Sequence, residues 1–127
     1  METARDFTLI LPDRVGSLAE AMSVFRDAGV NIRGHCGFPA WAGEGLLHLV
    51  LDEPDGGAEA LRRAGIEIRE ERTVLVLTLP NHPGAFADAL ERIARGGANV
   101  DLTYSLGDGR IVVGVNDIET ARRALKQ

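Results

Sequence analysis

The sequence LILPDRVGSL at Leu9–Leu18 has a counterpart in LTLPNHPGAF at Leu77–Phe86, 68 residues further along the chain. The offset holds without a gap through the segment that follows, and 8 of the 23 positions from Leu9 to Asn31 are identical in the two copies. An ungapped match of this length indicates an internal duplication. We therefore predict two similar structural units, residues 1–72 and residues 73–127.

The composition indicates a soluble globular protein, with 45% hydrophobic and 26% charged residues among 127. A net charge of −5 disfavours nucleic acid as a partner, because binding a polyanion depends on lysine and arginine neutralising phosphates. The longest apolar stretches, 46–51 and 74–79, are far shorter than the roughly 20 residues that span a bilayer, and the start has no apolar signal core. The single cysteine, Cys36, cannot form an internal disulfide, so we expect a cytoplasmic protein.

Hydrophobic periodicity predicts the element order strand, helix, strand, strand, helix, strand in the first unit. Leu18, Ala21, Met22 and Phe25 are predicted to form the buried stripe of its first helix, and Gly29 is predicted to end that helix. The four strands are predicted at 7–11, 30–38, 46–51 and 66–72, and the second helix at 58–64.

The second unit repeats this order but is one element shorter. Strands are predicted at 74–79, 100–106 and 111–115, helices at 85–95 and 118–125, and a tight hairpin turn at Gly107–Gly109. The fold class is thus α+β, with two tandem ferredoxin-like βαββαβ units of which the second lacks its last strand. The missing strand leaves the edge of Val74–Leu79 unpaired, and such an edge must be covered. We expect either the first unit's sheet or a second chain there, with a C2 homodimer favoured.

The motif Leu-Pro-Asp-Arg-Val-Gly-Ser-Leu, followed by an amphipathic helix and Gly-Val-Asn-Ile, resembles the opening of an ACT domain, the regulatory amino-acid-binding module. The second copy is similar, and its Pro83-Gly84 pair is typical of that family. The resemblance covers essentially the whole chain and is to the free-standing tandem ACT proteins. It implies a regulatory protein that senses an amino acid at the ACT–ACT interface and modulates a target enzyme or regulator, with no catalysis, cofactor or metal. The alternative is a ligand-free interaction or scaffold module that uses the fold for oligomerisation.

The physical chemistry of the motif fits such a site. Gly16 and Gly84 lie in the first turn of a predicted helix, where free backbone N–H groups and the helix dipole attract a carboxylate. Asn31 and Asn99 offer amide donors and acceptors to a zwitterion. These residues have a purely structural interpretation as well: the glycines could permit close helix–sheet packing, and the asparagines could cap turns. The predicted ligand-binding residues are Asp13, Arg14, Val15, Gly16, Ser17, Asn31, Ile32, Asn81, His82, Gly84, Ala85, Phe86, Asn99 and Val100.

Other polar residues give weaker hypotheses. Asp13 could bind a ligand's ammonium and Arg14 its carboxylate, or the two could form a solvated loop pair. His35, Cys36, His48 and His82 lack the short ligand spacing of structural zinc sites. Trp41 in the turn at 39–45 is either an exposed lid or a contact with a partner chain.

Other functions on the same topology lack their motifs. An acylphosphatase would need an arginine-bearing phosphate loop and a metal chaperone a Cys-x-x-Cys, and neither is present. The exposed sheet aromatics of RNA-recognition domains are missing from a chain with 5% aromatic residues. No nucleophile with an adjacent base is recognisable, so we do not expect an enzyme.

Overall fold

The computed structural model describes residues 1–126. Within this range it contains six strands and four helices. They are β1 (Glu2–Pro12), α1 (Ser17–Ala28), β2 (Ile32–Pro39), β3 (Glu44–Leu51), α2 (Pro54–Arg63), β4 (Glu67–Leu77), α3 (Ala85–Arg95), β5 (Val100–Ser105), β6 (Ile111–Val115) and α4 (Ile118–Lys126). None of these helices is long and apolar enough to cross a membrane.

The strands form an antiparallel sheet in the hydrogen-bonded order β2-β3-β1-β4-β6-β5. The chain divides into two compact units. The N-terminal unit is Arg5–Arg72, and the C-terminal unit is Met1–Ala4 together with the chain from Thr73 onward. Because both unit boundaries fall inside strands, each unit contains a part of β1 and a part of β4.

The N-terminal unit has the predicted spatial order, with its first and third strands, β1 and β3, in the middle. Antiparallel pairing sets Leu9 opposite Leu47 and, on the other side of β3, Gly37 opposite Leu47. One face of these strands packs under α1 and α2. The resulting core contains Phe7, Leu9, Leu11, Ala21, Phe25, Val30, Leu47, Leu49, Leu51, Ala58 and Leu61.

The C-terminal unit is built in the same way around β4 and β6. These strands are antiparallel, with Leu75 opposite Val113. Its core contains Leu75, Leu77, Ala89, Ile93, Ala98, Val113, Val115 and Ala121. The predicted helix at 85–95 is confirmed residue for residue, because its apolar stripe begins directly after Gly84 and ends at a Gly-Gly pair. The turn after β5 is confirmed as well: Gly109 has a φ of 89° and donates its N–H to the carbonyl of Leu106 at 3.0 Å.

Two strand predictions were wrong. We predicted separate strands at 66–72 and 74–79, but β4 is one continuous strand, since no turn-forming residue interrupts Glu67–Leu77. We also placed the start of the first strand at Phe7, whereas β1 begins at Glu2. The polar residues at its start hid this extension, because they carry no apolar alternation.

The longer β1 changes the argument about the open edge. In the strand order β4 lies between β1 and β6, and the start of β1, through Ala4, belongs to the C-terminal unit. The side chain of Arg110, just before β6, is paired with Glu2 in the same unit. The expected open edge is thus filled by the chain itself and gives no argument for a second chain.

Candidate functional site

The two loops that open the repeated motif have the same backbone geometry. Gly16 and Gly84 both have φ 87° and ψ −11°. The N–H of Ser17 donates to the carbonyl of Arg14 at 3.2 Å, and that of Ala85 donates to His82 at 3.3 Å. Residues 14–17 and 82–85 therefore form four-residue turns that are closed by a hydrogen bond between the first and the fourth residue. The third residue is the glycine with positive φ, and the second residue has no positive φ in either loop. This combination defines a type II β-turn. Pro83 occupies that second position in the C-terminal unit, where proline is favoured.

The role of the two glycines follows from the turn. A Cβ built at Gly16 or Gly84 would have no atom within 4 Å. The interpretation that these glycines permit close helix–sheet packing was therefore wrong. They are required because a type II turn needs the left-handed backbone that glycine adopts without strain.

Both turns lead into helices whose first amides lack a side-chain cap. Neither Gly16 nor Gly84 has a side chain that could accept a bond from the helix, and within residues 1–126 no side-chain cap bond is formed at either N-cap. Backbone bonds at 2.9 Å from Glu20 to Gly16 and from Asp88 to Gly84 close the first turns. The remaining first-turn N–H groups of each helix, together with the positive end of its dipole, are open to an acceptor.

A cleft lies in front of the first of these loops, within the N-terminal unit. Its volume is about 310 Å³, at the low end of the range for small-molecule sites. The first turn of α1 forms one wall, and the facing ends of β1, β2 and β3 form the other. The lining residues are Leu11, Pro12, Asp13, Arg14, Ser17, Leu18, His35, Gly37, Phe38, Pro39, Gly45, Leu46 and Leu47.

A second cleft occupies the corresponding place in the C-terminal unit, with a volume of about 490 Å³. Its polar wall comes from the turn after β5. There Arg110 donates from Nη2 to Asp108 at 2.6 Å and from Nε at 2.9 Å, and this hydrogen bonding raises the pKa of the guanidinium. The lining residues are Thr78, Leu79, Pro80, Asn81, His82, Ala85, Phe86, Asp108, Gly109, Arg110 and Ile111.

The predicted residues of the first loop have different surroundings. Arg14 bonds Glu20 across the first turn at 3.1 Å, so it is not paired with Asp13 as a solvated loop pair. The N–H of Asp13 donates to the carbonyl of Gly43 at 2.8 Å and so ties the loop to the β2–β3 turn. Val15 is 98% exposed and lies outside the lining of the cleft.

The predicted asparagines lie at the other end of the helices. The N–H of Asn31 donates to Asp52 Oδ1 at 2.9 Å, and the N–H of Asn99 donates to Asn116 Oδ1 at 2.8 Å. The 12 residues of α1 separate Asn31 from the Gly16 turn by about 18 Å of helix. Neither cleft is lined by Asn31, Ile32, Asn99 or Val100. Within one unit these residues are therefore not brought together with the loops.

Sequence reasoning missed the strand residues of the first cleft. His35, Gly37 and Phe38 lie on the edge strand β2, and their part in the cleft depends on strand register, which the sequence alone did not give. The sequence did contain a signal for this wall of the cleft: large apolar residues near the loop that do not belong to the periodic pattern of the core. Phe38 and Trp41 are such residues, and Trp41 is 84% exposed in the turn at 41–44.

The histidines and the cysteine do not form one cluster. His48 Nδ1 lies 3.0 Å from Oδ2 of the buried Asp6 and 3.2 Å from Thr8 Oγ1. Cys36 is the cross-strand partner of His48 and is half-buried. His82 belongs to the C-terminal unit. The Asp6–His48 pair is thus part of the sheet and not of either cleft.

Comparison with known proteins gives matches among solved structures. A protein from Bacteroides thetaiotaomicron superposes with a TM-score of 0.89 at 23% identity, over 98% of this chain and 87% of the other. The regulatory subunit of aspartate kinase from Thermus thermophilus, in its ligand-free form, gives 0.70 at 20% identity over 98% and 89%. That from Thermus flavus gives 0.68 at 21% identity over 99% and 90%. The chain has an ACT-like fold.

At sequence identities of 20–23%, the similarity to these structures establishes the fold of the chain but not its function. No protein-family model matches the sequence. No curated protein matches it either.

Proposed function

We propose that this ACT-like protein is a regulatory protein that binds an amino acid at the turn before a long helix and thereby modulates a partner. The observation that carries the proposal is the pair of uncapped helix starts, at Gly16 and Gly84, each facing a cleft. Free amides at a helix N-terminus are suited to a carboxylate. Two similar sites with different side chains would let one chain respond to more than one ligand or to one ligand unequally.

The remaining polar groups of the loops supply the rest of a zwitterion site. In the first cleft the Asp13 carboxylate is positioned to receive an ammonium group, and in the second Asn81 and His82 offer neutral donors and acceptors. Charge-assisted hydrogen bonds contribute about 1.5–3 kcal/mol each. Two or three of them give a dissociation constant of about 1 µM to 1 mM, which corresponds to about −8 to −4 kcal/mol.

The similar solved structures support a regulatory role and an enzyme as partner. Two of them are regulatory subunits of aspartate kinase. By analogy we propose that this chain acts through contact with a target enzyme or regulator and not by catalysis. The cytoplasmic location predicted from the sequence belongs to the same proposal.

A second copy of the chain would give the distant asparagines a role. β2 is an edge strand, and α1 leads into it. If two copies paired antiparallel along β2 about a two-fold axis, the end of α1 in one copy would lie beside the start of α1 in the other. Asn31 and Ile32 of one copy would then approach the Gly16 turn of its partner. In this arrangement the amino acid sits at an ACT–ACT interface, and the protein is a homodimer.

The alternative, a ligand-free interaction module, is favoured by one observation. Val15 and Trp41 are almost fully exposed close to the first loop, and exposed apolar patches mark interaction sites. On this alternative the cleft would stay empty, and the patch alone would hold a partner.

A thermal-shift screen against the twenty amino acids distinguishes the amino-acid sensor from the ligand-free interaction module. A ligand present at 100 times its dissociation constant stabilises the folded state by about 2.7 kcal/mol. The proposal predicts a concentration-dependent rise in melting temperature for at least one amino acid, and a smaller rise for its D-enantiomer. If no amino acid at about 10 mM, ten times the weakest constant given above, moves the transition, the sensing function is wrong.

A further inference from the structure

Two strand positions that line the first cleft, Gly37 and Gly45, carry no side chain. Gly37 on β2 lies opposite Leu47 on β3, and Gly45 on β3 lies opposite both Leu11 and Pro39. At this end of the sheet the first turn of α1 therefore covers bare backbone. The floor that remains is formed by Leu11 and Leu47, which are both buried.

Ser17 adds a polar group to the cleft. The residue as a whole is 5% exposed and lines the cleft. Within residues 1–126 its hydroxyl is not one of the buried side-chain atoms that lack a hydrogen-bond partner, so it is accessible from the cleft and can donate a hydrogen bond to a carboxylate there. The corresponding residue of the C-terminal unit is Ala85, which has no such group.

The two clefts also differ in the character of their walls. Leu18 lies at the rim of the first cleft and is 54% exposed, whereas the Phe38 side chain stacks on His48 at the opposite face of the sheet. The second cleft has Asp108 and Arg110 in its wall, and its apolar residues, such as Phe86, are partly buried in the core of that unit. An apolar side chain of a ligand would bury the exposed rim only in the first cleft.

We propose that the cleft of the N-terminal unit is selective for one amino acid with an apolar side chain, of the size of valine to phenylalanine, and that Ser17 binds its carboxylate. The inference rests on the proposed function and narrows it to a ligand class and to one site per chain. The side chain lies over Leu11 and Leu47, in the space left by Gly37 and Gly45. The C-terminal cleft does not take this ligand.

Isothermal titration calorimetry on the full chain tests the ligand class. Leucine, valine, methionine and phenylalanine are compared with lysine, aspartate, threonine and alanine. Apolar amino acids should bind with a stoichiometry of one per chain, and at least about tenfold tighter than alanine, since each added methylene in an apolar pocket contributes tenfold or more. Tighter binding of lysine, aspartate or threonine would overturn the inference and leave the sensing function standing.

Three variants test the site itself. Ser17→Ala removes the hydroxyl and places at this position the residue that the other loop carries, so it should fold normally and weaken leucine binding about tenfold. The matched control Ala85→Ser, in the other loop, should leave binding unchanged. Gly37→Val fills the hollow: a Cβ at Gly37 would lie 3.1 Å from Leu47 Cδ1, which requires only a small adjustment.

Gly37→Val should therefore lose leucine binding while its melting temperature shows that it is folded. If Ser17→Ala and Gly37→Val both bind leucine as the parent does, the cleft is not the site. If Ala85→Ser and Ser17→Ala weaken binding equally, the selectivity for one unit is wrong. If no amino acid binds at all, both the proposed function and this inference are wrong. The thermal-shift screen identifies that case, because no amino acid would then raise the melting temperature.

Discussion

The left-handed glycines of the two turns predict what alanine does at each position. Gly16→Ala and Gly84→Ala create no clash, because the added Cβ would have no atom within 4 Å. The cost comes from the φ of 87° alone. Holding alanine in the left-handed region lowers the unfolding free energy by about 1–2 kcal/mol. Alanine also restricts the unfolded chain more than glycine does, which raises the unfolding free energy by about 0.4–1 kcal/mol. Each variant should therefore lose about 1 kcal/mol of unfolding free energy.

Urea unfolding at constant temperature and thermal melting measure this loss. For a chain of this size 1 kcal/mol corresponds to a fall of about 3–5 °C in melting temperature. The double variant should lose about the sum, since the two loops share no partner. Ala42→Gly is the matched control, because Ala42 already has a φ of 61°. Its replacement should hold or raise the stability. Alanine variants as stable as the parent, or a loss in Ala42→Gly, would refute the assigned turn geometry.

Three further outcomes are expected. Leu61→Ala should cost about 2–5 kcal/mol in urea unfolding, because Leu61 is completely buried, whereas Leu18→Ala should stay within about 0.5 kcal/mol; equal losses would contradict the assigned core. Hydrogen bonds from Thr120 hold the pKa of Asp117 below its ordinary value, so its stabilising effect is present above about pH 4 and lost as the pH falls through the lowered pKa. The difference in melting temperature between the parent and Asp117→Asn should become smaller as the pH is lowered from about 4. A difference that stays constant with pH would contradict this role of Asp117. Amide exchange along Val74–Leu77 should be slow at every protein concentration, because β4 lies between two strands; exchange that slows only as the concentration rises would point to a second chain.

The sequence predicted best those features that depend on local pattern. The start of α3 followed from the turn residues before Ala85 and from the apolar stripe after it. The continuous β4 was not predicted, because the repeat suggested a boundary at Thr73 where the backbone simply continues. The extension of β1 to Glu2 was missed for a related reason: its first residues pair with a distant segment and carry no local signal.

The candidate site was predictable only in part. The loop with Gly16 was found because its residue types are specific to a turn before a helix. The opposite wall, at Gly37, depends on the register between β2 and β3, which is a long-range property. Asn31 was grouped with the loop because it follows the same helix. The length of that helix separates the two within one unit.

The central claim is that an amino acid binds at the turn before a long helix. Amide NMR tests it most directly, by titrating the labelled protein with the amino acid that raises the melting temperature most. We predict saturable chemical-shift changes at residues 15–19, in the turn and first helical turn behind the first cleft, and smaller changes elsewhere. Shifts that leave residues 15–19 and the corresponding residues 83–87 unchanged while the ligand binds would contradict the claim.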